Sequence, residues 1–228
     1  MLIDFVISIT CTIIIYFLFS KLSKKWPFPL FNPVLMSILT LVYILLSLEI
    51  PYERYDIGGQ WISFFLGPIT VMFAIPIYKQ IPTLKKHWKS ILIGISAGVL
   101  TSFAVVCLMA MGFGIEKNLL LSLLPKSITT PMGIAACESI GGIVSITIIS
   151  IIITGVVGHM LTPSICKVCK IDHPVARGIA IGTSSHAMGT TRALEMGEVE
   201  GAMSSLSIGI TGIITVILLP ILLKLLPL

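Results

Sequence analysis

Long apolar segments separated by short polar connections make up almost the whole chain. An α-helix that crosses the hydrocarbon core of a membrane needs about 20 mostly apolar residues. The segments of about that length are 2–20, 28–49, 61–78, 90–112, 139–161, 179–193 and 204–226. The pattern therefore predicts an all-α membrane protein with about seven transmembrane helices.

The charged residues of the connections predict an orientation for these helices. Lysine and arginine gather in the connections 21–25, 79–89 and 162–177, and acidic residues gather in 49–56 and 195–200. Basic connections stay on the cytoplasmic side of a membrane. Seven crossings with the N-terminus outside would place every basic connection inside and both acidic ones outside. The segment 118–161 must then cross once, so its interrupted first half is predicted to be a re-entrant or broken helix.

Two segments carry polar groups that lipid would not tolerate. The first is Pro125-Lys126-Ser127-Ile128-Thr129-Thr130-Pro131, followed by Glu138, and the second runs from Gly182 to Arg192. Proline cannot donate a backbone hydrogen bond and disfavours helical geometry in the preceding residue. Non-helical backbone at membrane depth persists only inside protein or along a watery cavity. Both segments are therefore predicted to be broken helices that line a binding site.

The residue types in these segments indicate an anion as the ligand. The N-terminus of a half-helix offers free N–H groups and a partial positive charge. Lys126 and Arg192 add full charges, while His186 and Glu138 are candidate proton carriers. The candidate substrate-binding residues are Lys126, Ser127, Thr129, Thr130, Glu138, Ser184, Ser185, His186, Gly189, Thr190 and Arg192. The alternative is structural: hydroxyls and His186 would pack between helices, and Lys126 and Arg192 would reach the membrane interface.

A weak internal repeat supports the same interpretation. When Gly67 is placed over Gly182 without gaps, Ile93-Gly94-Ile95 falls on Ile208-Gly209-Ile210, and 61–98 matches 176–213 in hydropathy. Asn32-Pro33 falls on Thr130-Pro131 when a longer loop is allowed. The predicted organisation is an N-terminal helix and loop at 1–27, a first repeat at 28–117 and a second at 118–228. In the seven-crossing topology the two halves enter the membrane from opposite sides, and repeats of inverted topology with interrupted helices are typical of secondary transporters.

Composition narrows the class further. The 228 residues are 56% apolar and only 11% charged, and the mean hydropathy is +1.06. The net charge of +5 lies in connections between apolar segments, so it reports topology and does not indicate nucleic-acid binding. The chain contains none of the Walker, G-x-S-x-G, H-E-x-x-H or G-x-G-x-x-G motifs that would indicate an enzyme. We expect neither enzymatic activity nor a cofactor.

A metal site has one candidate set of ligands. Cys166 and Cys169 form a C-x-x-C pair in a basic connection, with His159 and His173 on either side. Such a set has the residue types of a zinc site. The alternative is a pair of reduced thiols on the cytoplasmic side, and we predict no metal.

Two long motifs resemble a known family. The stretches LPKSITTPMGIAACESIGG and ARGIAIGTSSHAMGTTRALEMGEVEGAMSSLSIGI resemble the LrgB/CidB family of antiholin-like membrane proteins, and the likeness is strongest from Leu124 to Pro220. The resemblance implies a multi-pass protein of the bacterial cytoplasmic membrane with a small holin-like partner of the LrgA/CidA type. The positions that match the family motifs are Lys126, Ser127, Thr129, Thr130, Pro131, Glu138, His186, Gly189 and Thr190.

The resemblance implies more than one function. The family is linked to control of murein hydrolase activity and autolysis, plastid relatives exchange glycolate and glycerate, and bacterial relatives are tied to pyruvate movement. We expect a secondary transporter of small monocarboxylates such as pyruvate, lactate or glycolate. The alternatives are an antiholin-like regulator without a transported substrate and an ion or proton channel. We also expect a homodimer whose scaffold includes 28–49 and 90–112.

Overall fold

The computed structural model describes residues 2–26 and 32–225. All regular secondary structure in those residues is helical, as the apolar pattern predicts. The chain divides into an N-terminal unit, Met1–Met72, and a C-terminal unit, Phe73–Leu228. The helices are α1 (Leu2–Lys25), α2 (Pro33–Ser47), α3 (Tyr52–Phe64), α4 (Leu66–Met72), α5 (Ala74–Lys79), α6 (Ile81–Phe113), α7 (Lys117–Leu123), a 3-10 helix (Leu124–Ser127), α8 (Thr130–Ile140), α9 (Val144–Val168), α10 (Pro174–Met196) and α11 (Glu198–Leu225).

Four helices within the described residues are long and apolar enough to cross a membrane, namely α1, α6, α9 and α11. They account for the predicted segments 2–20, 90–112, 139–161 and 204–226, although residue 226 lies outside the described residues. The start of the predicted segment 28–49 also lies outside them, and its described part is the shorter helix α2. The protein is therefore a multi-pass membrane protein.

The predicted segment 61–78 does not form one continuous helix. The chain there passes through the end of α3 and then through α4 and α5, each too short to cross a membrane. Pro68 and Pro76 stand in the first turn of α4 and of α5. Proline is tolerated in a first helical turn and not in a helix interior, which explains why the helix stops and restarts here.

The N-terminal unit packs α1 against α2 and α3. A side chain at Gly58 of α3 would lie 2.7 Å from Ser8 Cβ, so glycine allows α3 to approach α1 closely. The Thr12 and Tyr55 hydroxyls are 2.9 Å apart, and Arg54 pairs with Asp4 at 2.6 Å. These polar contacts fix the register between the two helices.

The C-terminal unit contains the main core, which one face of α6 supplies at helical spacing. Ile91, Ile95, Val99 and Phe103 are each at most 3% exposed. Residues between them, such as Ile93 at 70%, are exposed. A helix with one buried stripe and one exposed apolar face is the pattern of a membrane helix that packs on protein on one side only.

The segment from α7 to α8 is a hairpin, which we call hairpin 1. It is broken where Ile128 and Thr129 adopt extended backbone. The chain returns at Gly142, where a side chain would lie 3.1 Å from the Ser122 amide nitrogen. The Ser122 hydroxyl accepts a hydrogen bond from the Ile143 amide at 2.7 Å. The predicted break around Pro131 is therefore present, and the chain reverses there.

Helix α10 is also a hairpin, which we call hairpin 2. His186 has φ 42° and ψ −140°, which ends the first half of α10 and reverses the chain. A Cβ at Gly189 would lie 2.9 Å from Cγ2 of Ile181, which is eight residues earlier. A straight helix would keep residues eight positions apart well separated. The break predicted between Gly182 and Arg192 is confirmed at His186.

This reversal corrects the predicted side of the acidic connection 195–200. The first half of α10 runs beside α11 in the same direction, because Gly178 packs against Met203 and Gly182 packs against Ser207. As a result the Arg177 guanidinium lies 4.0 Å from the Glu200 carboxylate. The connections 162–177 and 195–200 therefore lie at the same end of the C-terminal unit, and the prediction that they lie on opposite sides is wrong. The prediction failed because 179–193 folds back on itself at His186.

The same contacts show the direction of α6. Gly94 packs on Ile179, and Gly98 packs on Thr183, so α6 runs parallel to the first half of α10 and hence to α11. The segments 61–98 and 176–213 were expected to have opposite orientations, but the α6 and α11 helices within them run the same way. The division of the chain into repeats at 28–117 and 118–228 stays a prediction.

Candidate functional site

A cavity of about 1030 Å³ lies within the C-terminal unit. It is lined by the first two-thirds of α6, the 3-10 helix of hairpin 1, the middle and end of α9, and the first half of α10. One end reaches His173, which is exposed, and the other reaches Ser127, which is buried. We call these the open end and the closed end of the cavity.

Lys126 provides the positive charge of the cavity. Its ammonium lies 3.4 Å from the Ser127 hydroxyl, which is in turn 3.1 Å from the Ser102 hydroxyl. Lys126 forms no ion pair with a carboxylate among residues 2–26 and 32–225. A half-buried ammonium without a counter-charge favours the entry of an anion, because burying an unpaired charge is costly.

Hydroxyl groups from hairpin 2 face the same cavity. The Ser184 and Ser185 hydroxyls are 3.0 Å apart, and Ser184 also donates to the Ala180 carbonyl at 2.7 Å. The Thr183 hydroxyl is buried and has no hydrogen-bond partner in the described protein. Hydroxyls can donate or accept, so this wall suits the carboxylate and carbonyl oxygens of a small acid.

Two glycines keep the helices that carry these groups close together. A Cβ at Gly98 of α6 would lie 2.6 Å from Thr183 Cγ2, and one at Gly158 of α9 would overlap the Ser185 side chain. Real Cβ atoms do not approach other atoms so closely. The two glycines therefore set the width of the cavity near its polar groups.

His186 occupies the turn of hairpin 2 and does not line the cavity. Its ring is buried and its Nε2 donates to the Ile151 carbonyl of α9 at 3.0 Å. Glycine at position 155 leaves room for the ring, since a Cβ there would lie 2.7 Å from His186 Cε1. In this structure the ring fastens the turn of hairpin 2 to α9.

The structure separates the predicted site residues into two groups. Those that line the cavity are Lys126, Ser127, Ser184 and Ser185. Those that do not line it are Thr129, Thr130, Glu138, His186, Gly189, Thr190 and Arg192.

The residues outside the cavity have other surroundings. Thr129 precedes the first turn of α8 and Thr130 begins it. Glu138 is exposed, and Arg192 pairs with Glu195 at 2.5 Å on the surface. Thr190 donates to the His186 carbonyl at 2.9 Å and lies 2.7 Å from the Ser204 hydroxyl.

Sequence reasoning missed several lining residues. Ser102 and Thr154 are hydroxyl residues inside long, unbroken and largely apolar helices, where such residues usually have a structural role. His87 and His173 meet at the open end with ring centroids 5.6 Å apart. They are 86 positions apart in the sequence, so only the packing of α6 on α10 brings them together.

The candidate zinc ligands do not converge. Cys166 is buried within α9 and Cys169 is exposed, and the His159 Nδ1 lies 3.2 Å from the Met188 carbonyl oxygen. Across residues 2–26 and 32–225, no three His, Cys, Asp or Glu side chains come close enough to hold a metal ion. The zinc alternative therefore has no geometric support in the described part of the chain.

Comparison with known proteins places this architecture in a family. The model of the LrgB-like family matches residues 12–225. Proteins called antiholin-like protein LrgB from Bacillus mycoides (strain KBAB4), Bacillus cereus (strain B4264) and Bacillus anthracis (strain CDC 684 / NRRL 3495) are each 39% identical to the chain over 193 residues. That alignment covers 85% of this chain and 84% of each relative. No solved structure matches the chain.

The family match covers both hairpins and all four helices that line the cavity. It confirms the resemblance carried by the motifs at 124–142 and 176–210. The family is not one of enzymes. The chain belongs to the LrgB-like family.

Proposed function

We propose that the protein carries small monocarboxylates of the pyruvate, lactate or glycolate class across the bacterial cytoplasmic membrane through this cavity. The observation that carries the proposal is the Lys126 ammonium, which faces the cavity and forms no ion pair with a described carboxylate. A carboxylate placed there gains a charge-assisted hydrogen bond, which is roughly twice as strong as a neutral one. Ser127, Ser184 and Ser185 supply donors for its remaining oxygens.

The size of the cavity fits a hydrated small acid. Its volume of about 1030 Å³ greatly exceeds that of a three-carbon acid. The remaining space can hold water, because one molecule of liquid water occupies roughly 30 Å³. The acid would therefore bind together with ordered water, which transmits hydrogen bonds nearly as well as direct contact.

The charges around the open end support an orientation. Lys89 in the first third of α6, Lys170 just before α10 and Arg177 in the first turn of α10 lie at that end. Basic connections stay in the cytoplasm. The open end would then face the cytoplasm, and α6, α9 and α11 would be crossing helices. Hairpin 1 would enter from outside and hairpin 2 from inside, as re-entrant segments.

The proposal is tested with purified protein in liposomes. The wild type should show saturable uptake of labelled pyruvate or lactate. Lys126→Gln should lose roughly 10- to 100-fold in apparent affinity, because a hydrogen bond to a charged group is lost. Lys224→Gln, which changes an exposed lysine of α11 outside the cavity, should leave uptake unchanged. Absence of saturable uptake in the wild type would refute transport, and equal uptake by both variants would refute the role of Lys126 in it.

A second candidate function is an antiholin-like regulator of lysis that transports nothing. The names of the relatives favour it over transport. If it is correct, Lys126→Gln expressed in a strain that lacks the native protein should restore control of autolysis fully. A variant that loses both uptake and lysis control would instead join the two functions at one site. The homodimer and the small holin-like partner stay predictions.

A further inference from the structure

The two hairpins and the helices that follow them share one layout. Helix α7 begins at Lys117 and α10 at Pro174, and the breaks lie at Thr129 and His186. The members of each of these two pairs are 57 positions apart. The ranges 117–168 and 174–225 therefore align at one constant spacing without a gap.

The sequences of the two ranges agree at the same spacing. Ser-Ile-Ile-Ile-Thr-Gly at 150–155 falls on Ser-Ile-Gly-Ile-Thr-Gly at 207–212. Ser127 falls on Ser184, and the prolines inside α9 and α11, Pro163 and Pro220, fall on each other. Agreement in sequence motif, in the start of each hairpin and in the position of each break indicates two copies of one structural unit.

The two copies point in opposite directions. Gly158 of α9 meets Ser185 near the turn of hairpin 2, and a five-residue connection joins the end of α9 to the start of α10. Helix α9 is therefore antiparallel to the first half of α10, which itself runs parallel to α11. This inverted pair differs from the pair of segments 61–98 and 176–213, whose long helices are parallel.

The copies differ in what they expose. Lys126 and its equivalent Thr183 both line the cavity, as do Ser127 and Ser184. Thr154 of α9 lines it as well, but its equivalent in α11, Thr211, is 1% exposed and its hydroxyl has no partner in the described protein.

We propose that Thr211 is a concealed substrate contact, which takes the place of Thr154 when the two copies exchange conformations and the cavity opens at its other end. In that state α11 would separate from α8, where a Cβ on Gly212 would now lie 2.7 Å from Met132 Sδ. This inference rests on the proposed transport function and names a further contact for the same substrate.

The unpartnered hydroxyl is the physical reason for the proposal. Neighbouring hydroxyls of α11 are satisfied within the helix, since Ser205 donates to the Gly201 carbonyl at 2.8 Å and Ser207 to the Met203 carbonyl at 2.7 Å. A buried hydroxyl without a partner destabilises the state that contains it. A second state in which Thr211 meets water or a carboxylate would relieve that cost.

The first test compares two variants of α11. Thr211→Val has nearly the same shape and removes the hydroxyl, so uptake of labelled pyruvate should fall roughly three- to tenfold while thermal stability is unchanged or higher. The control is Ser207→Ala, which removes another hydroxyl of the same motif. Its equivalent in α9, Ser150, does not line the cavity, so uptake by this variant should match that of the wild type. Uptake by Thr211→Val equal to that of the wild type would overturn the inference.

The second test needs no substrate. Thr154→Cys and Thr211→Cys are each introduced into a cysteine-free background, in which serine replaces the five native cysteines. A membrane-impermeant methanethiosulfonate is then applied to right-side-out and to inverted vesicles. The inference expects Thr154→Cys to react from one face and Thr211→Cys from the other. Reaction from the same face, or no reaction of Thr211→Cys from either, would overturn it. If the two cysteine variants are labelled from opposite faces but the wild type takes up no carboxylate, only the proposed substrate is refuted.

Discussion

At the scale of single residues, His186 shows how a functional and a structural role can share one sequence signal. A histidine among serines and threonines in an apolar segment predicts a proton carrier. The structure gives it a positive φ of 42° and uses its ring to hold α9 through the Ile151 carbonyl. The backbone conformation is one that glycine adopts freely and other residues adopt at a cost.

The backbone and ring contributions of His186 can be separated with two variants. His186→Ala and His186→Gly both lose the ring hydrogen bond, so both should be less stable than the wild type. Glycine relieves the strain of the turn, so we expect the free energy of unfolding of His186→Gly to exceed that of His186→Ala by about 1 kcal/mol. Its melting temperature should be higher accordingly. Thermal unfolding in detergent measures this difference. Equal melting temperatures would mean that the turn stores no backbone strain.

Single residues also show which parts of the site a sequence can reveal. Lys126, Ser127, Ser184 and Ser185 were predicted because polar side chains beside helix-breaking residues are conspicuous in an apolar chain. Ser102 and Thr154 give no such signal, because one hydroxyl in a membrane helix usually bonds its own backbone or a neighbouring helix. Their role depends on the helices that face them.

At the scale of elements, the reversal of α10 determines which charges meet. Helix α10 and α11 approach closely at Gly178 and Gly182, where a side chain would strike Glu200 and Ser204 of α11. That packing places Arg177 beside Glu200, whose side chain is only 9% exposed. Ion pairs gain strength as solvent is excluded from them, provided both partners are kept.

A double-mutant cycle tests this contact between elements. Alanine replacements of Arg177 and Glu200, singly and together, should give a coupling energy of about 1 kcal/mol in thermal or denaturant unfolding. The matched control is the exposed ion pair between Arg192 and Glu195, whose charged atoms are closer, at 2.5 Å. Its coupling energy should be only a few tenths of a kcal/mol, because water screens exposed ion pairs. Equal coupling in both cycles would contradict the packing of α10 beside α11.

At the scale of the whole molecule, the hairpins change the predicted topology. Helix α10 reverses at His186, so the connections 162–177 and 195–200, which flank it, lie at the same end of the C-terminal unit. The sequence pattern had assigned the acidic connection 195–200 to the opposite face from 162–177.

Labelling from the two faces of the membrane distinguishes these topologies. The native Cys169, which is exposed, and a cysteine at Glu198→Cys should react with an impermeant reagent from the same face. Glu116→Cys, which is also exposed and lies between α6 and hairpin 1, should react from the other face if α6 crosses the membrane. The other native cysteines are replaced by serine in each case. Reaction of Cys169 and Glu198→Cys from opposite faces would restore the topology that the sequence predicted.

The sequence by itself determined the helical class, the membrane environment, the family and two of the places where helices break, but not the interruption of the segment 61–78. These follow from local properties, namely the length of apolar runs and the positions of proline, glycine and polar residues. The tertiary structure alone decided the direction of the chain beyond each break. A broken helix can continue or reverse with the same local residues, and the choice depends on long-range packing. That packing also decided which polar residues share the cavity and which end of it is open.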